Sequence, residues 1–276
     1  MLVVKLDNTP SALPHAGLKA ADVVYVEEVE GGLTRLAAVY STQVPTQIGP
    51  IRSARISDME LLRQYGRVAF AFSGSQAKLK PVIASAPLFD VSGDRSGAGY
   101  WRQKGRSAPY DFFGNGVSLL ARAPQADKAK DVGFRFADAA PAGGRPVATV
   151  SGHYPATSIN FTWDASLHAW RAALGPRPYT AAEDGSAVAP TTVIVQYVAV
   201  RPSGYGNSQG GVTPLSVTVG SGNALILRDG QAWDAQWSRP SADAPTHFTV
   251  GGADLPLAPG QVWVLLENSR APASTG

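Results

Sequence analysis

Three arginines and three glutamates fall between Glu27 and Arg55, in a 276-residue chain of which only 16% is charged. The stretch reads Glu-Glu-Val-Glu-Gly-Gly-Leu-Thr-Arg from Glu27 to Arg35. After an apolar run it continues Ile-Gly-Pro-Ile-Arg-Ser-Ala-Arg from Ile48 to Arg55. A guanidinium is a planar fork of N–H donors that matches a carboxylate or phosphate, so Arg35, Arg52 and Arg55 are candidates for clamping an anion. The competing reading is structural, with Arg52 and Arg55 holding their own loop through carbonyls and Glu28 or Glu30. Asp7 and Glu30 suggest a second chemistry, because two carboxylates flanking a glycosidic bond, with their pKa values set apart, can hydrolyse it.

Other candidates are weaker in pattern. Ser73 and Ser75 follow an apolar run, where a ligand-facing or nucleophilic hydroxyl could sit. However, Phe72-Ser-Gly-Ser-Gln is not Gly-x-Ser-x-Gly, and no histidine pairs with it. The segment Ser92 to Asn115 carries Tyr100, Trp101, Arg102, Arg106, Tyr110, Phe112 and Phe113 and reads as a long loop. Its rings, Trp101 among them, could stack on sugars while Arg102 and Arg106 hold acidic groups, or it could fold back as a plug. The four histidines, at 15, 153, 168 and 247, lack ligand spacing, so no metal is expected. The glycines around Ser221 lack a Walker lysine and read as turns, so no cofactor is expected.

The elements that must position these residues are short. Val3 to Leu6 reads as a strand ended by Asp7-Asn-Thr-Pro10. Val23–Glu30 and Leu33–Ser41 read as strands around Gly31-Gly32, a two-residue hairpin turn. That turn would pair Glu30 with Leu33 and Glu28 with Arg35, on the same face as Val24, Val26, Ala37 and Val39. Ser57-Asp-Met-Glu60 has the form of a capping box, which sets Arg52 and Arg55 just before a helix N-terminus closed at Gly66. A strand from Val68 to Phe72, a short helix to about Ala84 and a strand from Leu88 to Val91 follow. Beyond Arg145 the pattern turns to β, with strands expected at 147–150, 158–163, 168–172, 192–201, 215–219, 224–228, 231–237, 246–250 and 262–266. No internal repeat of fixed period is visible.

Composition bounds the rest. With 29 glycines and 21 prolines, many short elements joined by turns are expected rather than long helices. A formal charge of +3 without a Lys/Arg run argues against nucleic acid as a partner. The absence of cysteine excludes disulfides, thiolate metal sites and a cysteine nucleophile. No apolar run approaches the ~20 residues of a membrane helix. Met1-Leu-Val-Val-Lys is not a signal peptide, which leaves either a cytoplasmic protein or an exported chain whose signal is missing.

Several motifs together resemble a known group. They are Lys5-Leu-Asp-Asn8, Ala21-Asp-Val-Val-Tyr25, Val29-Glu-Gly-Gly-Leu-Thr-Arg35, Ile48-Gly-Pro-Ile-Arg-Ser-Ala-Arg55 and Phe72-Ser-Gly74. Later come Val193-Ile-Val-Gln196, Gly220-Ser-Gly-Asn-Ala224, Arg228-Asp-Gly230 and Gly260-Gln-Val-Trp-Val264. The chain thus resembles the YerB-like lipoprotein family, domain of unknown function 3048, over nearly its whole length. The resemblance implies an α+β fold, with a layered β/β/α-type sandwich in the N-terminal half and a β-rich C-terminal domain. We divide these at residues 1–140 and 141–276, the N-terminal domain carrying the Arg/Glu cluster. It also implies an exported protein of the bacterial envelope, tied to the membrane only through a lipid anchor. The signal and anchor cysteine are then expected outside this sequence. The functional expectation is a binding or scaffold protein for an anionic envelope polymer or small ligand, namely a cell-wall glycan, a teichoic-type polymer or a carboxylate. A polysaccharide hydrolase using Asp7 and Glu30 is the alternative.

Overall fold

The computed structural model describes residues 1–206, 210–270 and 273–276. Strands β1 (Leu2–Asn8), β2 (Val23–Glu28) and β3 (Thr34–Tyr40) are mostly apolar, with charge gathered toward one end, and are buried along nearly their whole length. Such runs belong to strands covered on both faces. β3 lies antiparallel to β1 and β2, while β4 (Ala69–Ala71) and β5 (Phe89–Asp90) extend the sheet in parallel beyond β1. Three six-residue helices complete this half: α1 (Ile56–Leu61), α2 (Lys80–Ser85) and α3 (Gly116–Ala121). The expected loop from Ser92 to Asn115 is partly ordered as a hairpin of β6 (Tyr100–Arg102) and β7 (Phe112–Gly114).

The second half is almost all strand. It runs through β8 (Arg145–Pro146), β9 (Thr149–Tyr154), β10 (Thr157–Asp164), β11 (Ala169–Leu174), β12 (Arg177–Pro178), β13 (Thr192–Gly206) and β14 (Val212–Val217). It continues through β15 (Gly220–Arg228), β16 (Gln231–Arg239), β17 (His247–Val250), β18 (Ala253–Asp254), β19 (Val262–Asn268) and β20 (Ser274–Thr275). Each strand expected beyond Arg145 overlaps one of these. The main sheet is ordered β18-β17-β16-β15-β13-β19-β2-β3-β1-β4-β5, with β14 beside β13 and β8 beside β16. β19 pairs in parallel with β13 on one side and β2 on the other, so one sheet runs through both halves.

Alternation along the strands builds two cores. Leu2, Val4, Leu6, Val24, Val26, Leu36 and Ala38 pack with Val150, Ile159, Phe161 and Trp170 of a second sheet, β12-β11-β10-β9-β20. Val3, Val23, Tyr25, Ala37 and Val39 pack with Met59, Leu61, Leu62, Leu79 and Ile83 around α1 and α2. The result is the layered β/β/α arrangement of an α+β protein.

Two local expectations are corrected. The β2–β3 connection holds five residues, Val29 to Leu33, closed by Val29 N–H donating to the Leu33 carbonyl at 2.8 Å. Glu28 therefore faces Thr34, and Glu27 faces Arg35. A one-residue slip moves every side chain to the other face, so Arg35 sits in the row Glu27–Arg35–Asp7 across β2, β3 and β1. Both turn glycines have positive φ, 72° at Gly31 and 70° at Gly32. A Cβ on Gly32 would come within 2.5 Å of Pro155 in the β9–β10 turn, so the second sheet leaves no room for a longer residue there. The predicted capping box is also displaced. Asp58, not Glu60, reaches back to the Arg55 amide, at 2.6 Å, while Ser57 and Glu60 accept from the Ser216 and Thr218 amides at 3.0 and 2.8 Å.

Candidate functional site

Where the α1-side face of β1, β2 and β3 reaches the turn, its residues change from apolar to charged. Segment 48–55 runs along β1 there, tied by Asp7 N–H to the Pro50 carbonyl at 3.0 Å and Arg52 N–H to the Lys5 carbonyl at 2.8 Å. Its other edge is held by the loop after β4, through Ser73 N–H to the Arg52 carbonyl and Ala54 N–H to the Gly74 carbonyl. These bonds fix Arg52 and Arg55 beside Arg35. Together with Asp7, Glu30 and Tyr110 they line a cleft of about 500 Å³.

The three arginines are used differently. Arg55 donates Nε and Nη2 to Glu30 Oε2 at 2.9 and 2.7 Å, and Nη1 to the Ala54 carbonyl at 3.0 Å. Its fork is fully engaged. Glu30 also accepts on Oε1 from Gln76 at 3.1 Å and from the Thr213 hydroxyl, a residue of β14. Burial alone would raise the Glu30 pKa, but the bonds from Arg55 and Thr213 outweigh it and hold the carboxylate below its ordinary range. Arg52 spends Nε on Asp7 Oδ2 at 2.7 Å, and Asp7 Oδ1 accepts the Thr9 amide at 2.9 Å and hydroxyl at 2.6 Å. Arg35 is 7% exposed, and its guanidinium makes one hydrogen bond among the described residues, Nη1 to the Ser53 carbonyl at 2.8 Å. No carboxylate pairs with it among the described residues. Burial, then repulsion from Arg55 and Arg52, lowers its pKa to about 9.

Beneath the cleft lies a buried charge cluster that the sequence reading missed. Lys5, Glu27 and Asp58 are each fully buried, with Lys5 Nζ 2.6 Å from Asp58 Oδ1 and 2.8 Å from Glu27 Oε2. The ammonium thus stands between two carboxylates, with a hydrogen bond to Asp58 and an ion pair with Glu27. Burial first, then the charge of Asp58, raises the Glu27 pKa to about 7 against the pull of Lys5. Asp58 also caps the Arg55 amide, so this cluster anchors the backbone that carries the arginine. A lysine in the middle of an apolar strand was the available signal for it.

The remaining candidates fall outside this constellation. Ser73 donates to the Ile51 carbonyl at 2.9 Å and lines a neighbouring cavity of about 360 Å³ with Asp94, Arg102, Phe112 and the far side of Arg52. Arg102 is paired with Asp111 at 2.6 Å. Ser75 and Trp101 line neither cavity. Most ring faces of the aromatic segment are engaged internally. Tyr100 stacks on Phe112 at 4.9 Å, Arg102 lies over Phe112 and Arg106 over Phe113, both at 5.3 Å. Tyr110 differs, since it lines the arginine cleft with no ring partner and no hydroxyl hydrogen bond among the described residues.

Fold and site together define a strand-dominated α+β protein with an arginine-rich cleft at the rim of a sheet shared by both halves. The chain belongs to the family described as "Protein of unknown function (DUF3048)", whose N-terminal domain matches residues 1–130 and whose C-terminal domain matches residues 149–264. It is similar to the "Putative lipoprotein YerB" of Bacillus subtilis (strain 168), at 23% identity over 95% of this chain and 80% of that protein. The crystal structure of YerB from Bacillus subtilis superposes with a TM-score of 0.82 at 20% identity, covering 100% of this chain and 93% of that one. That likeness establishes a common fold. No helix among the described residues is long and apolar enough to cross a membrane.

Proposed function

We propose that this is an extracytoplasmic envelope protein that binds an anionic ligand in the Arg35–Arg52–Arg55 cleft. The observation that carries the reading is Arg35, a buried guanidinium that no carboxylate contacts as an ion pair among the described residues, although Asp7 and Glu27 stand opposite it on the neighbouring strands. A buried cation without a direct ion-pair partner is costly, and a bound carboxylate or phosphate would supply that contact. The cleft sets three arginines against two carboxylates, Asp7 and Glu30, so one positive charge is left over. The envelope location rests on the relative's description as a lipoprotein. Its ligand would be an anionic cell-wall glycan, a teichoic-type polymer or a carboxylate.

The hydrolase alternative is less well supported. A general acid needs a raised pKa, whereas Glu30 is held low and both its oxygens are occupied. Asp7 is likewise engaged by Arg52 and Thr9. The test is a thermal-shift titration with phosphate and with short anionic envelope fragments, comparing wild type and an Arg35→Met/Arg52→Met protein. A saturable upward shift in wild type that is lost in the double variant is expected. Equal shifts in both proteins, or none in either, would overturn the reading.

A further inference from the structure

We infer that the ligand's anionic group is carried on a sugar ring, with the oxyanion between Arg35 and Arg52 and the ring against Tyr110. This rests on the anion-binding reading above and adds the chemical class of the ligand. The argument begins with which donors remain. Arg55 has no uncommitted nitrogen, because Glu30 takes Nε and Nη2 and the Ala54 carbonyl takes Nη1. Arg35 has committed Nη1 alone, and Arg52 has committed Nε alone. Nε and Nη2 of Arg35 and both terminal nitrogens of Arg52 therefore have no protein partner among the described residues. Two partly engaged forks lining one cleft suit a carboxylate or phosphate, while Arg55 and Glu30 hold the wall.

Tyr110 gives the second part of the ligand. It is half-buried in the same cleft, and the neighbouring aromatics are already covered by rings or guanidinium groups. An aromatic residue with an apolar face and a free hydroxyl can pack on one face of a pyranose and hydrogen-bond its edge. The third part is the cavity beyond Arg52. Ser73, Asp94 and Arg102 line it, mixing donors and acceptors with charges of both signs, which suits hydroxyl groups rather than a second anion. Arg52 stands in the wall of both cavities, so a ring bound at Tyr110 can extend its hydroxyls or the next residue of a chain past it.

Titration calorimetry on the full chain tests this with inorganic phosphate, glucose, glucuronate and glucose 6-phosphate. Phosphate should bind weakly, glucose undetectably, and at least one acidic sugar about tenfold tighter than phosphate, the size of a stacked ring contact. Tyr110→Ala should weaken that acidic sugar about tenfold, and phosphate by much less. Arg52→Met should weaken phosphate and the acidic sugar alike. Preference for glucuronate or for glucose 6-phosphate would identify the oxyanion. If phosphate and both acidic sugars bind equally, and Tyr110→Ala changes nothing, the sugar assignment is wrong while the anion site stands. If nothing binds at all, the anion site itself is refuted and the sugar assignment with it.

Discussion

Arg55 and Arg35 line the same cleft with opposite hydrogen-bond accounts, and that difference sets what each substitution does. Removing Arg55 strands Glu30, which is 8% exposed, with its charge uncompensated. Breaking a buried pair in this way costs about 3–5 kcal/mol. Arg35→Met instead removes a buried cation that has no acid partner, so stability should be unchanged or higher. Urea unfolding of Arg55→Met and Arg35→Met checks this, and equal losses in both would show that Arg35 has a structural partner after all. The sequence singled out Asp7, Glu30, Arg35, Arg52 and Arg55, and the structure brings these five together. It did not reveal which arginine would be consumed structurally. That depended on Glu30, whose other oxygen is held by Gln76 and by Thr213 from far along the chain.

At the level of single elements, β19 carries a carboxyl that links folding to pH. Glu267 is fully buried, accepts the His153 amide on Oε1 at 2.7 Å, and has no partner on Oε2 among the described residues. Burial raises its pKa from 4.5 to about 8 despite that one bond. A carboxyl whose folded pKa is raised binds its proton more tightly in the folded chain. Its contribution is therefore complete below about 4.5 and is lost as pH rises through about 8. Glu267→Gln cannot ionise, so its melting temperature should match wild type near pH 5 and exceed it above pH 8. Thermal unfolding across that range decides the matter, since a constant gap would mean that the carboxyl does not take up a proton on folding. The β2–β3 hairpin shows the limit of reading elements alone. Both strands were visible from their apolar runs, but a five-residue connection in place of two moved Arg35 onto the face with Asp7 and Glu27. Gly31-Gly32 signals a turn without setting its length, and the second sheet's Pro155 leaves no room for a Cβ at Gly32.

For the whole molecule, the joint between halves is a pair of hydrogen-bonded strands. β2 of the first half and β19 of the second are neighbours in one sheet, and both cores draw side chains from each half. The cleft depends on the same joint, because Thr213 of the second half bonds Glu30 of the first. Separating the halves would expose the edge of β2 and uncover two apolar faces. Calorimetric unfolding should therefore show one transition, and Thr213→Val should weaken anion binding through Glu30 without opening a second transition. Two well-separated transitions would mean that the halves fold independently despite the shared sheet.

The sequence by itself determined the local grammar: buried strands from continuous apolar runs, turns from Gly and Asn-Thr-Pro, a β-rich second half, and a concentration of charge that had to lie at a rim. These follow from side-chain period and backbone preference, which act over a few residues. Only the tertiary structure decided the register that gathers Asp7, Arg35 and Glu27, and the burial of Lys5 against Glu27 and Asp58. It also decided that Glu30 is taken by Arg55 and by β14, so that no carboxylate pairs directly with Arg35 among the described residues. Those outcomes turn on contacts between segments distant in the chain, and no local pattern records which carboxylate reaches which guanidinium once the layers close.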